Sequence, residues 1–213
     1  MPRSGSTLLF NLCRILFEEE YGKDKTYATW TQFFKENQQK KYNIIKNHDR
    51  VQKLIDWADL IITSVRDPRY VIASYSDFNP KFNVNSESQI KSVCSSYIKT
   101  FEIMKPLSDY TFRYESYFND KTKIIKEIMN VLGINESKID INKIIKNLDA
   151  IKNTKYEKLD RTVTQMHPNH ISPKANKTIH ERLTKEQIRF IESNFSKFML
   201  DHGYKPVNFI KML

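Results

Sequence analysis

Residues 59–65, DLIITSV, constrain the fold more than any other stretch of this chain. The run is apolar and β-branched almost throughout, without alternation of polar and apolar positions. A strand with one face in water alternates. One covered on both faces does not, and such strands belong to parallel sheets flanked by helices. RDPRYVIASY follows at once, with Pro68 where a helix begins. A buried strand that runs straight into a helix is half of a repeating α/β unit.

The rest of the chain carries the same alternation. YNIIK at 42–46 and YTFRYES at 110–116 read as strands. Helical spacing marks 7–20, closing near Gly22, then 50–58 with Asp49 as its N-cap, and 86–105. Further helices are expected at 120–132, stopped by Gly133, and at 140–151. A last helix covers 183–204, where Thr184 and Gln187 are spaced as a capping box and Gly203 ends the run. Residues 23–41 are polar with an aromatic cluster (Tyr27, Trp30, Phe33, Phe34) and read as a loop with a short helix. Residues 153–182 are polar, with prolines and histidines, and read as a long functional loop. With 213 residues and no internal repeat, the expectation is one α/β domain, 1–213, whose mainly parallel sheet is flanked by helices.

Hydrophobic residues make up 39% of the chain and charged residues 28%, as in a soluble globular protein. No stretch reaches the roughly 20 apolar residues that span a bilayer, and no signal-peptide pattern is present. Cys13 and Cys94 each lie in a helical pattern without a nearby His or Cys, so buried free thiols in a reducing, cytoplasmic compartment are expected, and zinc is not. The net charge of +10 suits an anionic partner, whether nucleic acid, a membrane surface or a small polyanion. The lysines are scattered, with no run of five or more.

Three short segments could carry chemistry. PRSGST opens the chain and precedes a helix, so Gly5, Ser6 and Thr7 stand at a helix N-terminus, where unpaired N–H groups and the dipole attract anions. Arg3 adds a planar fork suited to an oxyanion group. No G-x-x-x-x-G-K-[ST] pattern is present, and a bare helix cap would use the same residues. KNHD closes strand 42–46, at the end of a strand where α/β sheets bind ligands, with Lys46 and His48 two residues apart and therefore on one side. A lysine there neutralises developing negative charge and a histidine takes a proton; a strand-edge lysine and a turn histidine are the plainer readings. In SVRDPRYVIASY, Arg66 lies just past the best strand and Ser74 eight residues on, inside the next helix. They clamp one anion if strand end and helix meet; otherwise they are a surface Arg66–Asp67 pair and a packing serine.

In this order, PRSGST, K-x-H at a strand end and R-D-P-x-x-x-x-x-S resemble the sulfotransferases that use 3'-phosphoadenosine 5'-phosphosulfate (PAPS). FRYESYFNDKTKIIKEIMNVLGI resembles that family's arginine-tyrosine-glutamate segment, and HISPKANKTIHERLTKEQIRFIESNF…HGY its cofactor-covering loop and last helix. The resemblance covers nearly the whole chain and implies a P-loop-like three-layer fold. It puts Arg3 on the 5'-phosphosulfate, Ser4, Gly5, Ser6 and Thr7 around that group, and Arg66 and Ser74 on the 3'-phosphate. Lys46 and His48 match the pair at the reacting centre. Lys174 and Lys177 are candidates for further 3'-phosphate contacts, although their spacing departs from the family's pattern, and Tyr114 is a candidate on the adenine side. The implied reaction passes a sulfo group, without a metal, to a hydroxyl or amine of a small-molecule, lipid or carbohydrate acceptor, releasing 3'-phosphoadenosine 5'-phosphate (PAP). No nucleic-acid partner is expected.

Family members also carry an apolar strand directly before the proline of the opening loop, which this sequence does not contain. The expectation is an internal methionine of a longer reading frame or, failing that, a truncated relative. Three other readings stand beside the enzyme: a nucleotide kinase, for which neither a Walker lysine nor a magnesium carboxylate is well placed; a polyanion- or nucleic-acid-binding module; and an inactive relative. The aromatics Tyr27, Trp30, Phe78 and Phe82 stack on an acceptor or fill the core, and core filling is the expectation.

Overall fold

The computed structural model describes residues 3–152, 163–166 and 170–207. Its elements run α1 (Ser6–Tyr21), β1 (Thr26–Trp30), β2 (Tyr42–Lys46), α2 (Gln52–Trp57), β3 (Ile62–Val65) and α3 (Pro68–Phe78). They continue with α4 (Glu87–Met104), β4 (Tyr110–Arg113), α5 (Tyr114–Asn119), α6 (Lys121–Val131), α7 (Ile141–Asp149) and α8 (Lys185–Asp201). The chain forms two compact units, Met1–Arg66 with Thr100–Ile171, and Asp67–Lys99 with Ser172–Leu213. The fold is α/β, with short parallel sheets flanked by helices.

All four strands among the described residues belong to the first unit. β1 pairs in parallel with β2, Thr26 opposite Tyr42 through Trp30 opposite Lys46. β3 pairs in parallel with β4, Ile62 opposite Tyr110 through Val65 opposite Arg113. Among the described residues these are two separate two-stranded sheets. β1 corrects the sequence reading of 23–41: TYATW is a strand, followed by 3-10 turns at Thr31–Phe33 and Glu36–Gln38. Strand 110–116 ends at Arg113, and α5 starts directly at Tyr114. Helix 50–58 begins at Gln52 with Val51 at its N-cap, so Asp49 does not cap it. The Asp49 amide instead donates to Asn47 Oδ1 at 3.2 Å, closing a local turn.

α1 packs its apolar stripe (Leu9, Leu12, Cys13, Leu16) into the core of this unit, with Phe112, Tyr117, Ile125, Ile128 and Ile144. Its acidic C-terminal turn opposes the helix dipole, and basic partners offset that. Arg14 Nη1 lies 2.9 Å from Glu18, Lys143 Nζ 2.6 Å from Glu19 and Lys138 Nζ 3.1 Å from Glu20. Both cysteines are free and buried, and burial raises both thiols, that of Cys13 to about 12.

In the second unit Pro68 opens α3 behind the Asp67 N-cap, and α3 packs on α8. Arg69 binds the Asp67 carboxylate at 2.6 Å and Glu192 of α8 at 2.5 Å, all three side chains largely buried. The Thr184–Gln187 capping box forms as its spacing predicts. Much of the expected 153–182 loop lies outside the described residues; its end carries a 3-10 turn, Ile179–Glu181.

Candidate active site

The turn before α1 has the backbone of an anion cradle. Arg3 and Gly5 both take positive φ, 64° and 92°. Gly5 is the N-cap of α1, and the first helical hydrogen bond runs from the Leu9 amide to its carbonyl at 3.1 Å. The amides of the first turn therefore make no hydrogen bond of the helical ladder, the feature by which helix N-termini attract anions. Glycine is required at this position on two counts. A side chain disfavours φ of 92°, and an added Cβ would sit 2.3 Å from Cδ2 of Tyr114.

Two strands hold the turn in place. Ser4 is fully buried, and its Oγ lies 2.7 Å from Oγ of Ser64 in β3. From β2, Lys46 Nζ donates to Thr7 Oγ1 at 2.5 Å. Lys46 is the last residue of its strand and only 8% exposed. Burial, with the neighbouring charge of Arg3, lowers its pKa from 10.5 to about 7. Two cations close enough to disfavour each other, beside a helix N-terminus, are stabilised by an anion.

His48 follows two residues later, half-buried, with Nε2 3.2 Å from Ser6 Oγ. Burial, reinforced by the Lys46 ammonium, holds the imidazole well below its usual range. It is therefore neutral at physiological pH. Arg66 stands just past β3, with Nη1 donating to the Arg3 carbonyl at 3.2 Å. Its guanidinium lies 4.1 Å from the centre of the Tyr114 ring, the same ring that covers Gly5.

Of the residues singled out in the sequence, Arg3, Ser4, Gly5, Ser6, Thr7, Lys46, His48, Arg66 and Tyr114 are brought together in the first unit. Ser74, Lys174 and Lys177 belong to the second. Ser74 is buried on α3, and both lysines are exposed. One turn beyond Ser74, Asp77 accepts from Ser172 Oγ and from Arg182 Nη2, each at 2.5 Å. Lys174 Nζ lies 4.0 Å from the same carboxylate. Asp77 thus ties both ends of the segment that carries Lys174 and Lys177 to α3.

Three residues have contacts that the sequence reading did not assign to them. Ser64 was signalled only by a hydroxyl inside an otherwise apolar strand. Asp77 carried no local signal, because its partners lie 95 and 105 residues away. Trp30 stands opposite Lys46 in the β1–β2 register, its ring 5.6 Å from that of His48. It does not fill the core: Tyr27, Trp30 and Phe82 are half-buried and Phe78 is exposed, which overturns that expectation.

The arrangement offers convergent positive charge for an oxyanion ligand, and a neutral imidazole beside it. Among the described residues no group of three or more His, Cys, Asp or Glu side chains is placed to hold a metal ion. No described helix is long and apolar enough to cross a membrane.

Comparison with curated proteins yields no match. The family model of the sulfotransferase domain matches residues 1–203, nearly the whole sequence. By its sequence, therefore, this chain belongs to the sulfotransferase domain family.

Proposed function

We propose that this protein moves a sulfo group from PAPS to a hydroxyl or amine of a small-molecule, lipid or carbohydrate acceptor. One observation carries the reading: Lys46 and His48 each reach a hydroxyl of the same anion-binding turn, Thr7 at 2.5 Å and Ser6 at 3.2 Å. That supports the reading of His48 as proton acceptor and Lys46 as cation at the proposed phosphosulfate site.

In the proposed step the acceptor oxygen attacks sulfur in line with the bridging phosphate oxygen. An O–S bond forms, the bond from sulfur to the bridging oxygen breaks, and its electron pair stays on the 5'-phosphate of PAP. His48 takes the acceptor proton. Lys46 and Arg3 stabilise charge on the departing oxygen, and the α1 amides hold the equatorial oxygens. Arg66 would take the 3'-phosphate. The two buried free thiols suit a reducing, cytoplasmic setting.

The test is sulfo transfer from PAPS in the presence of EDTA, with His48→Ala alongside wild type. Removing a general base is expected to lower turnover by about 10²–10⁴-fold while PAP affinity stays within about threefold. Undiminished turnover in His48→Ala would exclude the assigned role.

A further inference from the structure

We infer that Ser4 and Ser64 act as a positioning pair, a buried link between two hydroxyls that sets where the anion-binding turn stands against β3, and that neither hydroxyl touches the donor. The inference rests on the sulfo-transfer reading of the same site. Both strand ends grip the turn in one way, through residues two apart, which share a side of an extended chain. From β2, Lys46 reaches Thr7 and His48 reaches Ser6. From β3, Ser64 Oγ lies 2.7 Å from Ser4 Oγ, and Arg66 Nη1 donates to the Arg3 carbonyl at 3.2 Å. Of these four residues Ser64 alone is neither cationic nor basic. Neither attraction to an anion nor proton transfer accounts for it, and a fixed partner for the turn does.

The burial of the pair suits that task. Ser4 is 0% exposed and Ser64 3%, so neither presents its hydroxyl to a ligand arriving from water. Ser4 thereby takes a different part from the ligand contact expected of it. A buried hydroxyl costs stability unless it is paired, and an alanine at either position would avoid that cost. The turn also needs a tie at this point. Ser4 lies between two residues of positive φ, Arg3 at 64° and Gly5 at 92°. A side chain disfavours that region, so Arg3 stays there only where its surroundings hold it. The link from Ser4 to β3 supplies that hold at the residue between the two, and with it the placement of Gly5 at the head of α1.

The experiment measures calorimetric PAP binding by wild type, Ser64→Thr, Ser64→Val and an alanine cycle of Ser4 and Ser64, with thermal unfolding recorded for each. Threonine and valine bring nearly the same shape to a buried site, and only threonine keeps the hydroxyl. Their difference therefore reads the hydrogen bond and not the packing. Ser64→Val should bind PAP about fivefold more weakly than Ser64→Thr. Ser4→Ala and Ser64→Ala should each weaken PAP about fivefold, and the double variant no further, since either one removes the same link. The alanine cycle adds no volume, so it decides the question independently of the larger variants. Equal PAP affinities of the threonine and valine variants, or losses that add in the double variant, would overturn the inference. So would a fall in melting temperature with PAP affinity unchanged, which marks a link that serves stability alone. Wild type that binds no PAP would instead overturn the sulfo-transfer reading, and the inference with it.

Discussion

At the scale of single residues, Lys46 carries the strongest link between pH and binding. Burial and Arg3 bring its pKa from 10.5 to about 7, so between those values the unliganded protein holds the amine largely neutral. An anion in the cradle favours the ammonium. Binding above pH 7 therefore takes up a proton, and affinity falls as pH rises from about 7 toward 10. Below pH 7 Lys46 is already charged and contributes no further slope. Calorimetry of PAP binding at pH 8 in buffers of different ionisation enthalpy should show this uptake, and Lys46→Met should abolish it. The same shift acts on folding in a defined direction: the unfolded chain binds more protons between pH 7 and 10.5, so the penalty this group places on the folded state shrinks as pH rises through that window. Gly5 is the second sensitive position. Gly5→Ala adds a Cβ at φ of 92° and against Tyr114, and should cost about 1–3 kcal/mol in thermal or denaturant unfolding. The residues gathered around the opening turn were legible because Arg3, Gly5, Lys46, His48 and Arg66 stand at element ends, which local pattern reveals. Ser64 was not, since its role is a hydrogen bond to a serine 60 residues earlier.

At the scale of elements, β1 shows what local reading misses. TYATW is rich in β-forming residues but short and half-exposed, and it becomes a strand by pairing with β2. Strand 110–116 was read too long for the complementary reason: YES continues the aromatic pattern, but the chain turns into α5 at Tyr114, which brings that ring onto Gly5. The 172–182 segment gives the prediction proper to this scale. Asp77 holds it at both ends, through Ser172 and Arg182. Asp77→Ala should speed amide hydrogen exchange across 172–182 while the cores of α3 and α8 keep their protection. Uniform loss of protection throughout the second unit would show instead that Asp77 supports the unit's fold as a whole.

At the scale of the molecule, the alternation of strands and helices made the α/β class and the parallel pairing legible. The division of the strands into two pairs was not, because it depends on which edges meet in space. The net charge of +10 sets the competing explanation for anion binding, a diffuse attraction indifferent to where a ligand carries its phosphates. PAP and ADP separate the two, since they carry similar charge and differ in the 3'-phosphate. The deciding measurement is calorimetric titration of the folded protein with PAP in EDTA, with ADP as control. A PAPS site binds PAP more tightly than ADP by about hundredfold, equivalent to about 2.7 kcal/mol from charge-assisted contacts to the 3'-phosphate. Equal affinities that fall together with added salt would contradict it.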